Sequence, residues 1–455
     1  MEVDPNTPLI LSVSGMRGLV GKSLTPTVAT RYGAAVGTWL KRTRDKDHPK
    51  IVVGRDSRPS GLMYESAAIA GLTAVGCEVV QVGILSTPGI AVMVGELNAD
   101  GGLVITASHN PAPWNGMKAL RYDGVAPPPE QVEQLLEDFH HDAFAYVGTP
   151  DIQPVDRDDR GVDIHVKRLL DAGINVEGIR NAKLHAVVDS TRGAGGAEAA
   201  ALLQALGVEF THLYPEPTGD FPHPPEPTKD NLTELADAVA KHRAHVGFAQ
   251  DTDADRLAIV DEGGRYIGEE YTLALCGLHG LTSGDTIAAN LSTSRMIDDV
   301  ADAAGAQVVR SAVGEANVAA AMRKHGARLG GEGNGGIIWS AISQVRDSLV
   351  GMALVLELLA HRQSKLSEIV ATIPTYTIVK EKIAVPEGDM TPLLRRVADA
   401  IPEAAVNRED GVRLDVGQTW VHVRASNTEP ILRIIAEAPT KAEADALIAT
   451  VREVL

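Results

Sequence analysis

Along the chain, short β-branched apolar runs end in Gly-rich or polar turns and are followed by Ala- and Leu-rich stretches with helical spacing. IVVGRDSRPSG (51–61) leads into LMYESAAIAGLTAVG, LHAVVDSTRGAGG (184–196) into AEAAALLQALG, and DTIAANLSTS (285–294) into RMIDDVADAAG. Each helical stretch is followed by a further apolar run: CEVVQVG, VEFTHLY or QVVRSAV. A strand, a helix and a return strand at this spacing predict βαβ units with parallel pairing. Three such segments read as loosely repeated α/β units. From about residue 372 the pattern changes to the strands TYTIVKEKIAV, TWVHVRAS and ILRIIAEA, with helices at TPLLRRVADAI and KAEADALIATVREVL. That mix predicts a small α+β unit. The expected divisions are 1–154, 155–257, 258–371 and 372–455. The six prolines between Tyr214 and Asn231 exclude a regular element there and predict an ordered connector.

With 455 residues, the chain is too long for one core. Apolar residues make up 44%, charged residues 22% and aromatics only 4%, a balance that fits α/β layers. The net charge of −18 argues against nucleic acid or an anionic membrane as a partner. An anionic substrate must then be held by local groups of Arg and Lys. Cys77 and Cys276 each lie in an apolar run, so both are expected to be buried free thiols without metal or redox spacing. No basic-plus-apolar leader and no membrane-length apolar run is seen, so the expectation is a cytoplasmic protein.

Four segments carry chemistry. In GLVITASHNPAPWNGMKAL (102–120) an apolar strand is stopped by proline, which puts Ser108 at the carboxyl end of a strand, where open α/β sheets bind ligands. Ser108 is either a nucleophile or a structural turn residue. Adjacency to His109 is expected to send the two side chains apart, which argues against a hydrolytic dyad. In QDTDADRLAIVD (250–261), Asp251, Asp253 and Asp255 alternate, and an extended backbone would place three carboxylates on one side. Such crowding calls for Mg²⁺ or Ca²⁺; the plain alternative is an acidic surface loop. An EF-hand is excluded by Arg256 at the glycine position and by the strand-like Leu257–Val260. Three carboxylates leave an octahedral ion with room for a phosphate oxygen.

In VRASNTEPILR (423–433), Arg424, Ser426, Asn427, Thr428 and Arg433 supply guanidinium, hydroxyl and amide donors suited to a phosphate dianion. A simple turn is the competing reading. GGEGNGG (330–336) brackets Glu332 and Asn334 with five glycines, which fits close approach of backbone to a hydroxylated ligand or, more plainly, a surface hairpin. Arg17 sits in SGMRG, and Lys118 follows Ser108 by ten residues, close enough to return to one site.

In this order, TASHNP, DTDADR and RxSNTEPxxR resemble the α-D-phosphohexomutase superfamily along nearly the whole chain. The resemblance implies three similar mixed-sheet α/β domains and a C-terminal α+β domain around a central cleft, each giving one loop to the site. It also implies a phosphoserine at Ser108 and one Mg²⁺ held by Asp251, Asp253, Asp255 and Ser108. Arg256, Glu332 and Asn334 would contact the sugar, while Arg424, Ser426, Asn427, Thr428 and Arg433 would hold its phosphate. Arg17, Lys118 and His109 are the expected catalytic residues for proton transfer and phosphate handling. VGRDSRPSG, DSTRGAGG and VRDS match family segments of mainly structural use. The expected partners are a hexose phosphate and its 1,6-bisphosphate, in a monomer or homodimer.

Three positions depart from the family pattern. Thr252 stands where Gly is usual, so its backbone must avoid positive φ. Asn334 and Gly336 stand where Ser and His are usual, which removes one acid/base candidate. GEGNGG resembles the archaeal type of phosphoglucosamine mutase. A sugar phosphatase, a kinase and a non-catalytic sugar-phosphate sensor are the rival readings, and no nucleotide-binding motif supports the kinase.

Overall fold

The computed structural model describes residues 7–12, 15–385, 390–425 and 431–455. Its strands form four sheets. The first contains β1 (Ile10–Ser12), β2 (Gly15–Leu19), β3 (Lys50–Arg55), β4 (Glu78–Ile84), β5 (Gly101–Ile105), β6 (Trp114–Arg121) and β7 (Val155–Arg157), in the order β1-β2-β6-β5-β3-β4-β7. The second orders β8 (His185–Asp189), β9 (Glu209–Leu213), β10 (Val246–Gln250) and β11 (Leu257–Asp261) as β11-β10-β8-β9. The third orders β12 (Thr286–Asn290), β13 (Gln307–Ser311), β14 (Leu329–Glu332) and β15 (Gly336–Trp339) as β13-β12-β14-β15.

One four-strand pattern recurs in all three sheets. A central strand (β3, β8 or β12) pairs in parallel with its return strand on one side and with a third strand on the other. A fourth strand then runs antiparallel to the third, as β6 on β5, β11 on β10 and β15 on β14. The βαβ spacing accounts for the parallel pairs, and the antiparallel fourth strand makes each sheet mixed. Strands β5, β10 and β11 are buried along their whole length, as strands covered on both faces must be. The β7 and β11 strands carry the first two sheets a few residues past 154 and 257.

The fourth sheet is wholly antiparallel: β16 (Thr377–Ala384), β17 (Ala405–Asn407), β18 (Val412–Val416), β19 (Thr419–Ala425) and β20 (Ile431–Ala438) in the order β16-β20-β19-β18-β17. The helices Thr391–Asp399 and Lys441–Arg452 close its core around Leu393, Val397, Val423, Ile434 and Ile448. In contrast, the second and third sheets share one apolar core, where Phe248 and Ile259 are continuous with Leu273, Ile337 and Leu356. Tyr214–Asn231 holds only the 3₁₀ turn Lys229–Asn231 as regular structure. Within it Gly219, at φ 69°, lies against the Ser57 carbonyl, and the Phe221 ring lies 5.1 Å from the Arg58 guanidinium. Cys77 and Cys276 are buried free thiols. Among the described residues, no helix is long and apolar enough to cross a membrane.

Candidate active site

The recurring pattern puts three chemistry-bearing loops at one topological place, the turn between the third and fourth strand of each unit. The β5–β6 turn holds Ser108, the β10–β11 turn holds the aspartates, and the β14–β15 turn holds Asn334 next to Glu332. Each turn contains one left-handed residue: Ser108 (φ 49°), Ala254 (φ 54°) or Gly335 (φ 84°). For the two non-glycine residues that conformation costs about 1 kcal/mol or more, so the surroundings must hold it in place.

At Ser108 they do. Its N–H donates to Thr106 Oγ1 at 2.9 Å, and its carbonyl accepts from Arg58 Nη2 and Thr252 Oγ1, both at 2.6 Å. Arg58 is buried against Asp56 at 3.0 Å and also donates to the carbonyls of Asn110, Pro111 and Trp114. The left-handed turn brings Ser108 Oγ to 3.3 Å from His109 Nδ1, so the side chains converge instead of diverging as adjacency in an ordinary backbone predicts. Ser108 Oγ donates to Asp251 Oδ2 at 3.0 Å. Burial, then the charges of Arg256 and Arg17, push the His109 imidazole down to about 2, so it is neutral here. Arg17 donates to Asn110 Oδ1 at 3.0 Å and joins the same turn.

The three aspartates are gathered by a turn and not by an extended backbone. The Ala254 N–H bonds to the Asp251 carbonyl, and the left-handed Ala254 folds Asp253 and Asp255 back toward Asp251. Thr252 has no positive φ, as its side chain requires. One oxygen from each aspartate lies within 4.8 Å of the other two. Asp253 Oδ2 accepts from Thr87 Oγ1 at 2.6 Å and from Lys118 Nζ at 2.7 Å, while Asp255 Oδ2 accepts from Arg346 Nη2 at 2.7 Å. The Oδ1 atoms of Asp253 and Asp255 are buried with no hydrogen-bond partner among the described residues. Unpaired buried carboxylate oxygens are costly, and a hard divalent cation satisfies them; the donor set therefore fits Mg²⁺. Burial, followed by Asp255 and Asp253, raises Asp251 well above the carboxylate range. Burial also pushes Asp253 upward, but Lys118 and Thr87 outweigh it and hold the group low. Burial lowers Lys118, yet Asp253 and Asp255 raise it overall and keep it an ammonium.

The third turn is a buried hairpin. Glu332 accepts from Asn290 Nδ2 at 2.8 Å, the Gly314 N–H at 3.2 Å and Arg346 Nη1 at 2.8 Å. A side chain at Gly336 would meet Arg346 Cδ at 2.2 Å, so glycine there makes room for the arginine. Asn334 Oδ1 is buried with no partner among the described residues. Arg256 lies 3.9 Å from both Asp255 and Glu226.

In the fourth sheet, Arg424 and Arg433 sit directly opposite on β19 and β20. Arg424 Nε is held by Asp410 Oδ2 at 2.8 Å, and the same oxygen accepts the Val313 N–H at 3.0 Å. Because Gly314 follows Val313 and bonds to Glu332, one polar chain runs from Arg424 to the β14–β15 turn and through Arg346 to Asp255. Ser426, Asn427 and Thr428 lie outside the described residues.

With the Arg256 N–H on Asp251 Oδ1 at 3.2 Å and Asn334 Nδ2 on Glu332 at 3.5 Å, bonds connect Ser108, His109, Arg17, Lys118, the three aspartates, Arg256, Glu332, Asn334 and Arg424. Several residues of the network are not marked as site residues by the sequence. Arg346, within the VRDS segment read as structural, joins Asp255, Glu332 and Glu315. Thr87, Glu315, Asp410, Asn290 and Asn110 are among the others.

Four family descriptions match in order. They are phosphoglucomutase/phosphomannomutase alpha/beta/alpha domain I (residues 9–146), domain II (163–264), domain III (269–376) and the C-terminal domain (382–454). A phosphoglucomutase/phosphomannomutase of Thermococcus kodakarensis is 38% identical over 443 residues, 94% of each chain. A probable phosphoglucosamine mutase of Methanopyrus kandleri is 36% identical over 437 residues, 95% of this chain and 94% of the relative. The crystal structure of a phosphoglucomutase/phosphomannomutase family protein from Burkholderia thailandensis superposes with a TM-score of 0.85 at 27% identity, covering 100% of this chain and 98% of the other. Shared domain order, shared fold and a buried serine facing three gathered aspartates lead to one conclusion: the chain belongs to the α-D-phosphohexomutase superfamily and is a phosphohexomutase, an isomerase.

Proposed function

We propose that the protein interconverts the 1- and 6-phosphates of a hexose through a phosphorylated Ser108, with glucosamine phosphate as the preferred substrate. The carrying observation is the placement of the Ser108 hydroxyl 3.0 Å from Asp251, beside two aspartates whose buried Oδ1 atoms have no hydrogen-bond partner among the described residues. In the proposed cycle the Oγ–P bond of phospho-Ser108 breaks as phosphorus bonds to the free sugar hydroxyl, whose proton passes to the departing serine oxygen. The sugar 1,6-bisphosphate then reorients, and the opposite phosphoryl group returns to the serine oxygen as its sugar O–P bond breaks and the serine proton passes to that sugar oxygen. Asp251, Asp253, Asp255 and Ser108 would hold one Mg²⁺, which when bound neutralises charge on the transferring phosphoryl group.

Lys118 stays an ammonium between Asp253 and Asp255 and adds positive charge at the same point. His109 is neutral beside the free hydroxyl, and a dianion on Ser108 raises its proton affinity. With Arg17 anchored on the same turn, these three residues handle the proton and the phosphoryl oxygens. Arg256, Glu332 and Asn334 face the sugar hydroxyls. Arg424 and Arg433, with Ser426, Asn427 and Thr428, grip the phosphate that is not being transferred.

The sugar assignment rests on the GEGNGG turn and on the phosphoglucosamine mutase relatives. The Thermococcus relative supports glucose or mannose phosphate as the second reading. Comparing kcat/KM for the 1- and 6-phosphates of glucosamine, glucose and mannose, with Mg²⁺ present, separates them. Glucosamine phosphate is expected to lead by about tenfold, a modest specificity gap. Equal or higher values for glucose or mannose would overturn the assignment. Phosphate release without an isomer would overturn the mutase cycle itself.

A further inference from the structure

Beneath the site lies a histidine that the proposed cycle does not use. His165, on the helix Gly161–Asp171, is wholly buried, and both ring nitrogens meet carboxylates: Nδ1 lies 2.7 Å from Glu198 and Nε2 lies 2.8 Å from Asp347. The ring lies between two helix N-termini from different units. On one side Glu198 accepts both the N–H and the hydroxyl of Ser86, at 2.9 and 2.8 Å, and Ser86 caps the helix Thr87–Glu96. The first residue of that helix, Thr87, holds Asp253 twice, through its hydroxyl at 2.6 Å and its N–H to the Asp253 carbonyl at 2.9 Å.

On the other side Asp347 caps the helix Ser348–Arg362. Its neighbours reach the metal turn directly. The Ser348 N–H donates to the Ala254 carbonyl at 3.2 Å, and Arg346 donates to Asp255 at 2.7 Å.

We infer that His165 is a positioning residue for the metal turn, a rivet that fixes the distance between the helix start gripping Asp253 and the helix start gripping Ala254 and Asp255. Glu198 and Asp347 are buried, and His165 is the cationic side chain paired with each among the described residues. Removing the ring leaves two buried carboxylates facing each other without a counter-charge. Repulsion then pushes the two caps apart, and the spacing of the aspartates changes with them. A hydrophobic ring in the same place would fill the volume but could not perform this role. The inference rests on the proposed metal reading of the aspartates.

The test is Mg²⁺ binding by isothermal titration calorimetry on the full chain, in the wild type, His165→Gln, Ser86→Ala and Leu169→Ala. Leu169 is an apolar side chain buried on the same helix, so its variant reports general loosening without loss of a charge. The Mg²⁺ dissociation constant should rise about tenfold in His165→Gln and about threefold in Ser86→Ala, in keeping with loss of groups that orient metal ligands. Leu169→Ala should lower the melting temperature and leave the affinity within about twofold of wild type. At saturating Mg²⁺, KM for the hexose phosphate should stay within about twofold of wild type in His165→Gln. Unchanged affinity in folded His165→Gln overturns the inference, as does an equal loss in Leu169→Ala. Should His165→Gln not fold, unchanged affinity in Ser86→Ala overturns it. Absence of Mg²⁺ binding by the wild type overturns the metal reading and this inference with it.

Discussion

The three α/β units and the C-terminal unit serve the site in different ways. The α/β units each extend one turn from the same place in a repeated sheet, fixed by a left-handed residue and by buried contacts that cross between units. Ser108 bonds to Asp251, Thr87 to Asp253 and Arg346 to Asp255, so each of these contacts joins side chains from different units. The C-terminal unit has its own core and meets the third unit through polar contacts: Asp410 to the Val313 N–H, His422 to Ser292, Glu437 to the Arg295 N–H and Arg413 to the Leu291 carbonyl. Its arginines lie on an antiparallel strand pair. On the proposed reading, phosphoryl chemistry falls to the turns bonded across the α/β units, and phosphate capture falls to the C-terminal unit, which meets the third unit through polar contacts.

Substitutions can break or sharpen that division. Ser108→Ala should lower kcat by at least about 10⁴-fold with the fold intact by circular dichroism, because the phosphoryl carrier is gone. Asp253→Asn should weaken Mg²⁺ binding by calorimetry more than about 100-fold, exceeding the loss expected for a group that only orients a ligand. Arg424→Ala should raise KM for the hexose phosphate about tenfold or more through loss of a charge-assisted contact, with a smaller effect on kcat. A collapse of kcat at unchanged KM in Arg424→Ala would erase the division of labour.

The smallest effect concerns pH. Burial disfavours the charged His165 ring, but Asp347 and Glu198 outweigh it and raise its pKa from 6.5 to about 10. A raised pKa stabilises the protonated folded state, so its contribution is complete below about 6.5 and is lost as pH rises through about 10. The gap in urea midpoint between wild type and His165→Gln should therefore narrow between those limits. A gap independent of pH would mean that the ring acts by packing alone.

The sequence made much of this legible, but unevenly. The strand LVIT followed by a proline located Ser108, and alternating aspartates located the metal turn. Both local geometries were misjudged for one reason: Ser108 and Ala254 are left-handed, and a serine or an alanine carries no mark of that conformation. The recurring βαβ spacing foretold the parallel pairs, while the antiparallel fourth strand that shapes each site turn has no periodicity of its own. Thr87 carries no sequence signal and Arg346 reads only as part of a structural segment, because their partners are 166 and 91 residues distant. A hydrogen bond across that separation leaves no local pattern. Asp410 likewise acquires meaning only when the third and fourth units meet, and Glu315 only through Arg346, 31 residues further on.

The most direct test is intact mass and peptide mapping after incubation with a hexose 1,6-bisphosphate and Mg²⁺. The wild type should gain about 80 Da, the phosphoryl increment, on the peptide carrying Ser108, and Ser108→Ala should gain nothing. Isomerisation of the sugar phosphate by a wild-type chain that never acquires that increment would contradict the phosphoserine cycle.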